Sequence, residues 1–389
     1  MGNNNKSLVF ILGLSVFAAI TTEMGVIGLL PQLAEKYQIS TSQAGLLVSV
    51  FSLTVAIAGP FVTLVISRMN RKHVLLFIML LFTISNVIYA FSPVFEVSLV
   101  FRIIPAIMHA SLFSLGIAVA VSLAKPELKS KASAQVFAGV AIGLVLGVPL
   151  TSFVAEKISL ESAFLFGAVI SAIALVGILV KMPSMPVKDK LSYRKQLSIL
   201  RRVPVWLNIS TVVFVFATMF SVYSYFAEYL GQVTKVNAMW VSVLLMIFGL
   251  FGVFGNFIFS NFLQKNVVRT VILYPVSYLG IYLLVYYFGL FTIPMILFII
   301  VWGTIHSGGL IVSQTWLSKE TMDAPEFGNS LYLSFSNLGI TLGTSLGGLF
   351  ITKLGVNQLI LSGVFFSILA FVSIILKLKL FGPGQKEGK

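Results

Sequence analysis

Four residues in this chain carry chemistry in surroundings that otherwise offer little. Glu23, Arg102, His109 and His306 each interrupt a stretch of apolar, small or hydroxylic side chains. A carboxylate at membrane depth costs ~3 kcal/mol or more unless it is paired, hydrated or protonated. Glu23 therefore reads as a proton or cation site facing a polar cavity; the alternative is an acid near the outer helix end that reaches the headgroups. Arg102 cannot give up its charge. It must meet an anion such as Glu23, meet a substrate's polar group, or snorkel outward. His109 lies two helical turns further on and shares a helix face with Arg102 and Gly116. Imidazole changes charge near neutral pH, which suits a proton relay, while a buried neutral His with one hydrogen bond is the plainer reading. His306 carries the same two readings.

The elements that must position these residues are membrane helices. Apolar residues make up 58% of the 389, charged residues only 10%, and 34 are Phe, which excludes a soluble globular domain. The run from Leu8 to Ile20 continues through Thr21, Thr22 and Glu23 to Pro31 with no sign of a break, long enough to cross a hydrocarbon core. It is too long for a cleaved signal peptide and reads as an uncleaved first helix. Further spans fall at about 43–66, 74–92, 97–123, 132–155, 162–180, 205–229, 239–262, 270–288, 291–316, 328–352 and 357–376, twelve in all. With the N-terminus inside, 21 Lys and Arg fall in inside segments, Lys377 counted among them, and 4 fall outside. That bias puts both termini in the cytoplasm and accounts for the net charge of +14 without nucleic acid. With no Cys, thiolate metal sites and disulfides are excluded. No P-loop, GxSxG or HExxH motif is present, so no cofactor or metal is expected and the chain does not read as an enzyme.

The chain also repeats. Gly139, Gly143 and Gly147 recur in the same register as Gly339, Gly343 and Gly347, and Met-His109-Ala-Ser recurs as Ile-His306-Ser-Gly at nearly the same offset. The expected organisation is a six-helix half over 1–181, a cytoplasmic linker over 182–204 and a second half over 205–389. Residues 191–202 suit either a basic amphipathic helix or a flexible tether. Parallel six-helix repeats are a plan of secondary transporters. Glycines four apart let helices approach closely, and the two stripes are expected to pack across the boundary between halves, with Pro149 kinking the fifth span. The seventh span offers Tyr223, Tyr225 and surrounding Phe residues as substrate contacts, with His306, whereas the first half carries the proton chemistry. Glu228 falls near that span's outer end.

These residues resemble the major facilitator superfamily over nearly the whole chain. Thr22-Glu23-Met24 through Leu29-Leu30-Pro31-Gln32-Leu33-Ala34 is similar to the first-helix signature of its drug:proton antiporters, and Gly139 to Pro149 is similar to their fifth-helix motif. Arg102 stands where the family's fourth-helix Arg lies. Asn337-Leu338-Gly339 and Gly255-Asn256 suggest the branch of purine, nucleoside and arabinose efflux pumps. The loop after the second span keeps the basic Arg68, Arg71 and Lys72 but has Ser67 where the family has Asp, which puts the usual charge relay of that loop in doubt. The resemblance implies an all-α membrane protein of the major facilitator fold, a monomer in the bilayer with protons and a small molecule as partners. Its function would be proton-coupled export of a drug, purine, nucleoside or sugar by alternating access. The alternatives are uptake of a sugar or nucleoside by symport, and a membrane sensor without turnover.

Overall fold

The computed structural model describes residues 3–66, 69–125, 128–186, 198–323 and 325–382. Among these every regular element is helical, and a helix lies over each of the twelve expected spans. The chain opens with α1 (Asn3–Gly25), a 3-10 turn (Val26–Leu29) and α2 (Leu30–Tyr37), followed by α3 (Thr41–Ala44), α4 (Leu46–Ile66) and α5 (Arg71–Phe91). Next come α6 (Phe95–Leu123), α7 (Lys129–Lys157) and α8 (Leu160–Lys181), and then α9 (Val203–Tyr223) and α10 (Phe226–Gln232). The last five are α11 (Ala238–Lys265), α12 (Val267–Phe288), α13 (Thr292–Ser318), α14 (Pro325–Leu354) and α15 (Leu359–Phe381). Eleven segments among the described residues are long and apolar enough to cross a membrane. The twelfth expected span, α14, is diluted by Ser334, Ser336, Asn337, Thr341, Thr344, Ser345 and its glycines. Two of these hydroxyls bond within their own helix, Ser336 to the Leu333 carbonyl and Thr341 to the Asn337 carbonyl, both at 2.9 Å.

Short polar residues start the helices. Asn70, Ser159, Asn237 and Asn266 each accept from a backbone N–H of the turn they open, at 2.9–3.1 Å, each worth ~1 kcal/mol. Asn70 and Asn266 cap the third helix of each half, at matching points of the repeat.

Two compact units result. One comprises residues 1–39 and 57–190, the other 40–56 and 191–389, so the division falls inside α4. In the first unit a Cβ on Gly139 would overlap the Gly13 carbonyl, one on Gly143 would lie 2.6 Å from Ile20 Cγ2, and one on Gly147 3.2 Å from Thr21 Cα. In the second unit the corresponding obstacles are the carbonyls of Val213, Ala217 and Ser221. Both stripes thus seat the fifth helix of a half on that half's own first helix. The sequence reading put them at the boundary between halves; the structure uses them inside each unit. The facing positions 13/213, 17/217 and 21/221 keep the same offset as the stripes themselves. Pro149 lies buried within α7, which continues past it as a helix.

Two other expectations change. The first span stays helical but not α-helical throughout: α1 yields to the 3-10 turn just before Pro31, whose ring nitrogen cannot donate to the preceding turn. Lys377, counted as a cytoplasmic charge, sits inside α15 with its side chain 0% exposed. Its amine reaches Glu320 at 2.9 Å and the Gly382 carbonyl at 2.9 Å, over the Trp316 ring. The helix runs one turn further than the apolar pattern suggests, and this carries Lys377 in with it. In the linker, Ser198–Arg201 makes a single 3-10 turn, and residues 187–197 lie outside the described residues.

Candidate functional site

The first unit gathers three of the predicted residues. Glu23 stands on the last turn of α1, beside the interruption; Arg102 and His109 stand two turns apart on α6. His109 Nε2 lies 3.2 Å from Glu23 Oε2, with both side chains 5% exposed. Arg102 is fully buried. Its guanidinium donates to the main-chain carbonyls of Thr22 at 2.7 Å and Glu23 at 2.8 Å, and lies over the Tyr89 ring. The expected meeting of Arg102 with Glu23 is therefore made through the backbone, and the carboxylate's partner within ion-pair distance is His109. Helix-end carbonyls need donors when a helix is interrupted in a dry interior. The guanidinium supplies two, and the Thr151 hydroxyl supplies another to Gly25 at 3.1 Å. Asn86 donates to the Thr22 hydroxyl at 2.8 Å. A carboxylate and an imidazole at this separation can hold one exchangeable proton between them, in a site where an unpaired charge would be costly.

The second unit repeats the geometry with different side chains. Tyr223 occupies the position that matches Glu23 in the repeat, and its ring centroid lies 4.8 Å from that of His306. Phe220 and Phe248 flank the imidazole at 5.7 and 5.0 Å, and Trp302 and Phe226 pack behind Phe248. Tyr278 meets His306 Nδ1 at 2.7 Å. Above and below it on α12, Tyr274 and Tyr282 direct their hydroxyls to the carbonyls of His306 at 3.5 Å and Thr218 at 2.7 Å. Among the described residues no carboxylate comes within ion-pair distance of His306. The cluster is a buried aromatic cage around one imidazole. Such a surface stacks on flat or ring-shaped ligands and bonds a few of their polar atoms.

Other predicted residues go elsewhere. Tyr225 does not join the cage: its hydroxyl donates to the Thr344 carbonyl at 3.0 Å and it packs where Gly45 and Gly348 leave room. Lys72 donates to the Leu179 carbonyl at 2.9 Å, and the Arg71 N–H to the Met185 carbonyl at 3.1 Å. Arg68 lies outside the described residues. The sequence reading passed over Asn70, whose amide donates to Ser184 at 2.7 Å and accepts from the Met185 N–H at 3.2 Å, tying that loop to the start of the linker. It also passed over Tyr274, Tyr278 and Tyr282, whose spacing of four marks one helix face.

The chain matches the family model described as Major Facilitator Superfamily over residues 12–325. It is 27% identical over 337 residues to the inner membrane transport protein YdhP of Escherichia coli K12, covering 87% of each. It is 26% identical to a probable sugar efflux transporter of Mannheimia succiniciproducens, covering 94% of this chain and 92% of the relative. Among solved structures, a bacterial homologue of the human lysosomal transporter Spinster superposes with a TM-score of 0.79 at 16% identity, covering all of both chains. The nucleoside transporter NupG gives 0.77 at 14% identity, over 97% of this chain and all of that one. At those identities the likeness speaks for the fold.

Proposed function

Because the chain belongs to the Major Facilitator Superfamily, and so to multi-pass membrane transporters of small molecules rather than enzymes, we propose that it exports an uncharged ring compound, a sugar or nucleoside, by proton-coupled alternating access. The observation that carries the reading is the buried Glu23–His109 pair, 3.2 Å apart at an interruption of α1. An acid kept at that depth is a functional site by default, and a titratable partner lets the pair take up and release a proton without leaving a lone charge in the membrane. The cage around His306 supplies the substrate contacts. Support for the substrate class comes from its lack of charge and from relatives that bear the name of sugar efflux transporters. In the same reading both termini and the linker face the cytoplasm, the halves 1–181 and 205–389 are the moving bodies, Gly139 to Pro149 takes part in gating, and the unit that works is a monomer.

The test uses proteoliposomes with an imposed pH step and labelled arabinose or inosine as the probe. The wild type should accumulate one of them against its gradient. Glu23→Gln should retain exchange down a substrate gradient and lose accumulation. Gradient-driven transport by that variant at the wild-type rate would move the proton site elsewhere, and failure of the wild type to accumulate either probe would end the proposed substrate class.

A further inference from the structure

The two histidines at matching positions of the fourth helix of each half are held differently. His109 has Phe82 at a ring separation of 6.0 Å and the Glu23 carboxylate at 3.2 Å. With the Asn70 and Asn266 caps aligned, the residue matching Phe82 is Tyr278, which brings a hydroxyl where the first half has only hydrocarbon. That alignment is supported elsewhere on the same helices. A Cβ on Gly167 would meet Asn86, and one on Gly363, its counterpart in the second half, would meet Tyr282. Tyr282 stands to the Asn266 cap as Asn86 stands to the Asn70 cap. The tyrosine hydroxyl is therefore an addition to a shared scaffold, placed against a buried imidazole.

The direction of the bond follows from counting protons. A buried phenol hydroxyl must donate its one proton. Tyr274 and Tyr282 have main-chain carbonyls for theirs. Tyr278 has His306 Nδ1 at 2.7 Å, a bond in which either group could be the donor. An imidazole enclosed by Phe220, Tyr223 and Phe248, with no carboxylate in ion-pair reach among the described residues, is uncharged. If its proton sat on Nδ1, the Tyr278 proton would have to turn to the neighbouring hydroxyl of Tyr274 or Tyr282, a poorer acceptor than an imidazole nitrogen. We propose that Tyr278 is a positioning residue: its hydroxyl donates to Nδ1 of His306 and fixes the imidazole proton on Nε2, so that the cage offers one hydrogen-bond donor to an acceptor atom of an uncharged substrate. This rests on the reading that the cage contacts substrate, but the tautomer itself does not.

The tautomer can be measured without any ligand. The full chain, labelled with nitrogen-15 histidine in lipid nanodiscs, holds three histidines, and His306→Gln identifies the signal of interest by difference. Wild-type His306 should show an unprotonated Nδ1 and a protonated Nε2, with a preference of about tenfold from a buried hydrogen bond of ordinary strength. Tyr278→Phe should bring that preference down toward equal populations, while the His109 signal stays in place as the check on folding. A wild-type proton on Nδ1, or a His306 signal unmoved in Tyr278→Phe, overturns the proposal. The transport arm asks a different question. His306→Gln, whose amide N–H reaches the Nε2 position, should keep the KM for the transported probe within about threefold, and His306→Asn should raise it about tenfold, one lost hydrogen bond. Should the tautomer hold while both variants transport with the wild-type KM, the cage is not the substrate site and the positioning of His306 stands alone.

Discussion

In each half of this transporter a fourth-helix histidine meets a side chain from the first helix and one from the third at matching positions, and the two halves divide the chemistry oppositely. In the first unit the first helix brings the carboxylate of Glu23 and the third brings the hydrocarbon of Phe82. In the second unit the corresponding helices bring the ring of Tyr223 and the hydroxyl of Tyr278. The backbone does not distinguish them: the glycine stripes press on positions 13, 17 and 21 in one unit and on 213, 217 and 221 in the other. A duplicated scaffold thus reaches two chemistries through the side chains around one imidazole. On the proposed function, the acid would make a place for a proton, and the aromatic ring with its phenol a place for a neutral ligand.

The comparison breaks most visibly at Glu23. Glu23→Gln should bring pH-driven accumulation in proteoliposomes to background, while His306→Gln leaves the pH dependence intact and alters KM at most. The reverse pattern would mean that proton and substrate roles are assigned to the wrong halves. Phe82→Tyr sharpens the point, because it supplies the first half with the hydroxyl that marks the second. By the same alignment the added phenol would reach Nδ1 of His109, across the ring from the Nε2 that faces Glu23, and would hold the imidazole proton on Nε2; the rate of pH-driven transport should fall severalfold, on the order of one hydrogen bond. An unchanged rate would show that the Glu23–His109 contact is not what couples the proton.

Much of this was legible from residue types alone. The twelve spans, the repeat and the four chemical residues followed from hydropathy and spacing, because a charge in an apolar run is conspicuous. Tyr278 was not conspicuous, since a tyrosine in a membrane helix looks like packing until its hydroxyl meets an imidazole on another helix. A Lys near the end of an apolar run, such as Lys377, looks like an exposed charge, and only the partner Glu320, from a different connection, explains its burial. The glycine stripes were found but given the wrong neighbour: periodicity identifies a smooth face without naming what lies against it.

Lys377 also supplies a smaller test. Lys377→Met strands Glu320 in a buried site and should cost about 3–5 kcal/mol of stability, read as a lower thermal midpoint, with Lys377→Met/Glu320→Leu recovering most of it. The pH dependence of transport should not move. If it does, the second half holds proton chemistry of its own and the division between halves fails. The stripes come next. Gly139→Ala and Gly339→Ala each drive a methyl toward a backbone carbonyl, which cannot swing away as a side chain would. Each should cost about 1–3 kcal/mol, and the two should agree within about 1 kcal/mol, the spread expected of overpacking at one kind of contact. A large inequality would show that the first–fifth helix contact is not equally tight in the two units.

The weakest expected effect tests whether a difference between the halves can be without consequence. Gly280 lies in the interior of α12, and a Cβ added there would meet nothing within 4 Å. Aligned through Asn70 and Asn266, its counterpart is Ile84, whose side chain is 42% exposed on the outside of the first unit. Neither position touches the histidine sites. A glycine in a helix interior gives up about 0.5–1 kcal/mol relative to alanine, because its unfolded backbone has more freedom to lose. Gly280→Ala should therefore raise the thermal midpoint by about a degree in a chain of this size, with accumulation and KM unchanged. If the variant instead loses stability or slows transport, α12 must bend or be approached closely at Gly280 during the cycle. The third helices of the two halves would then differ in motion as well as in the side chain each presents to its histidine.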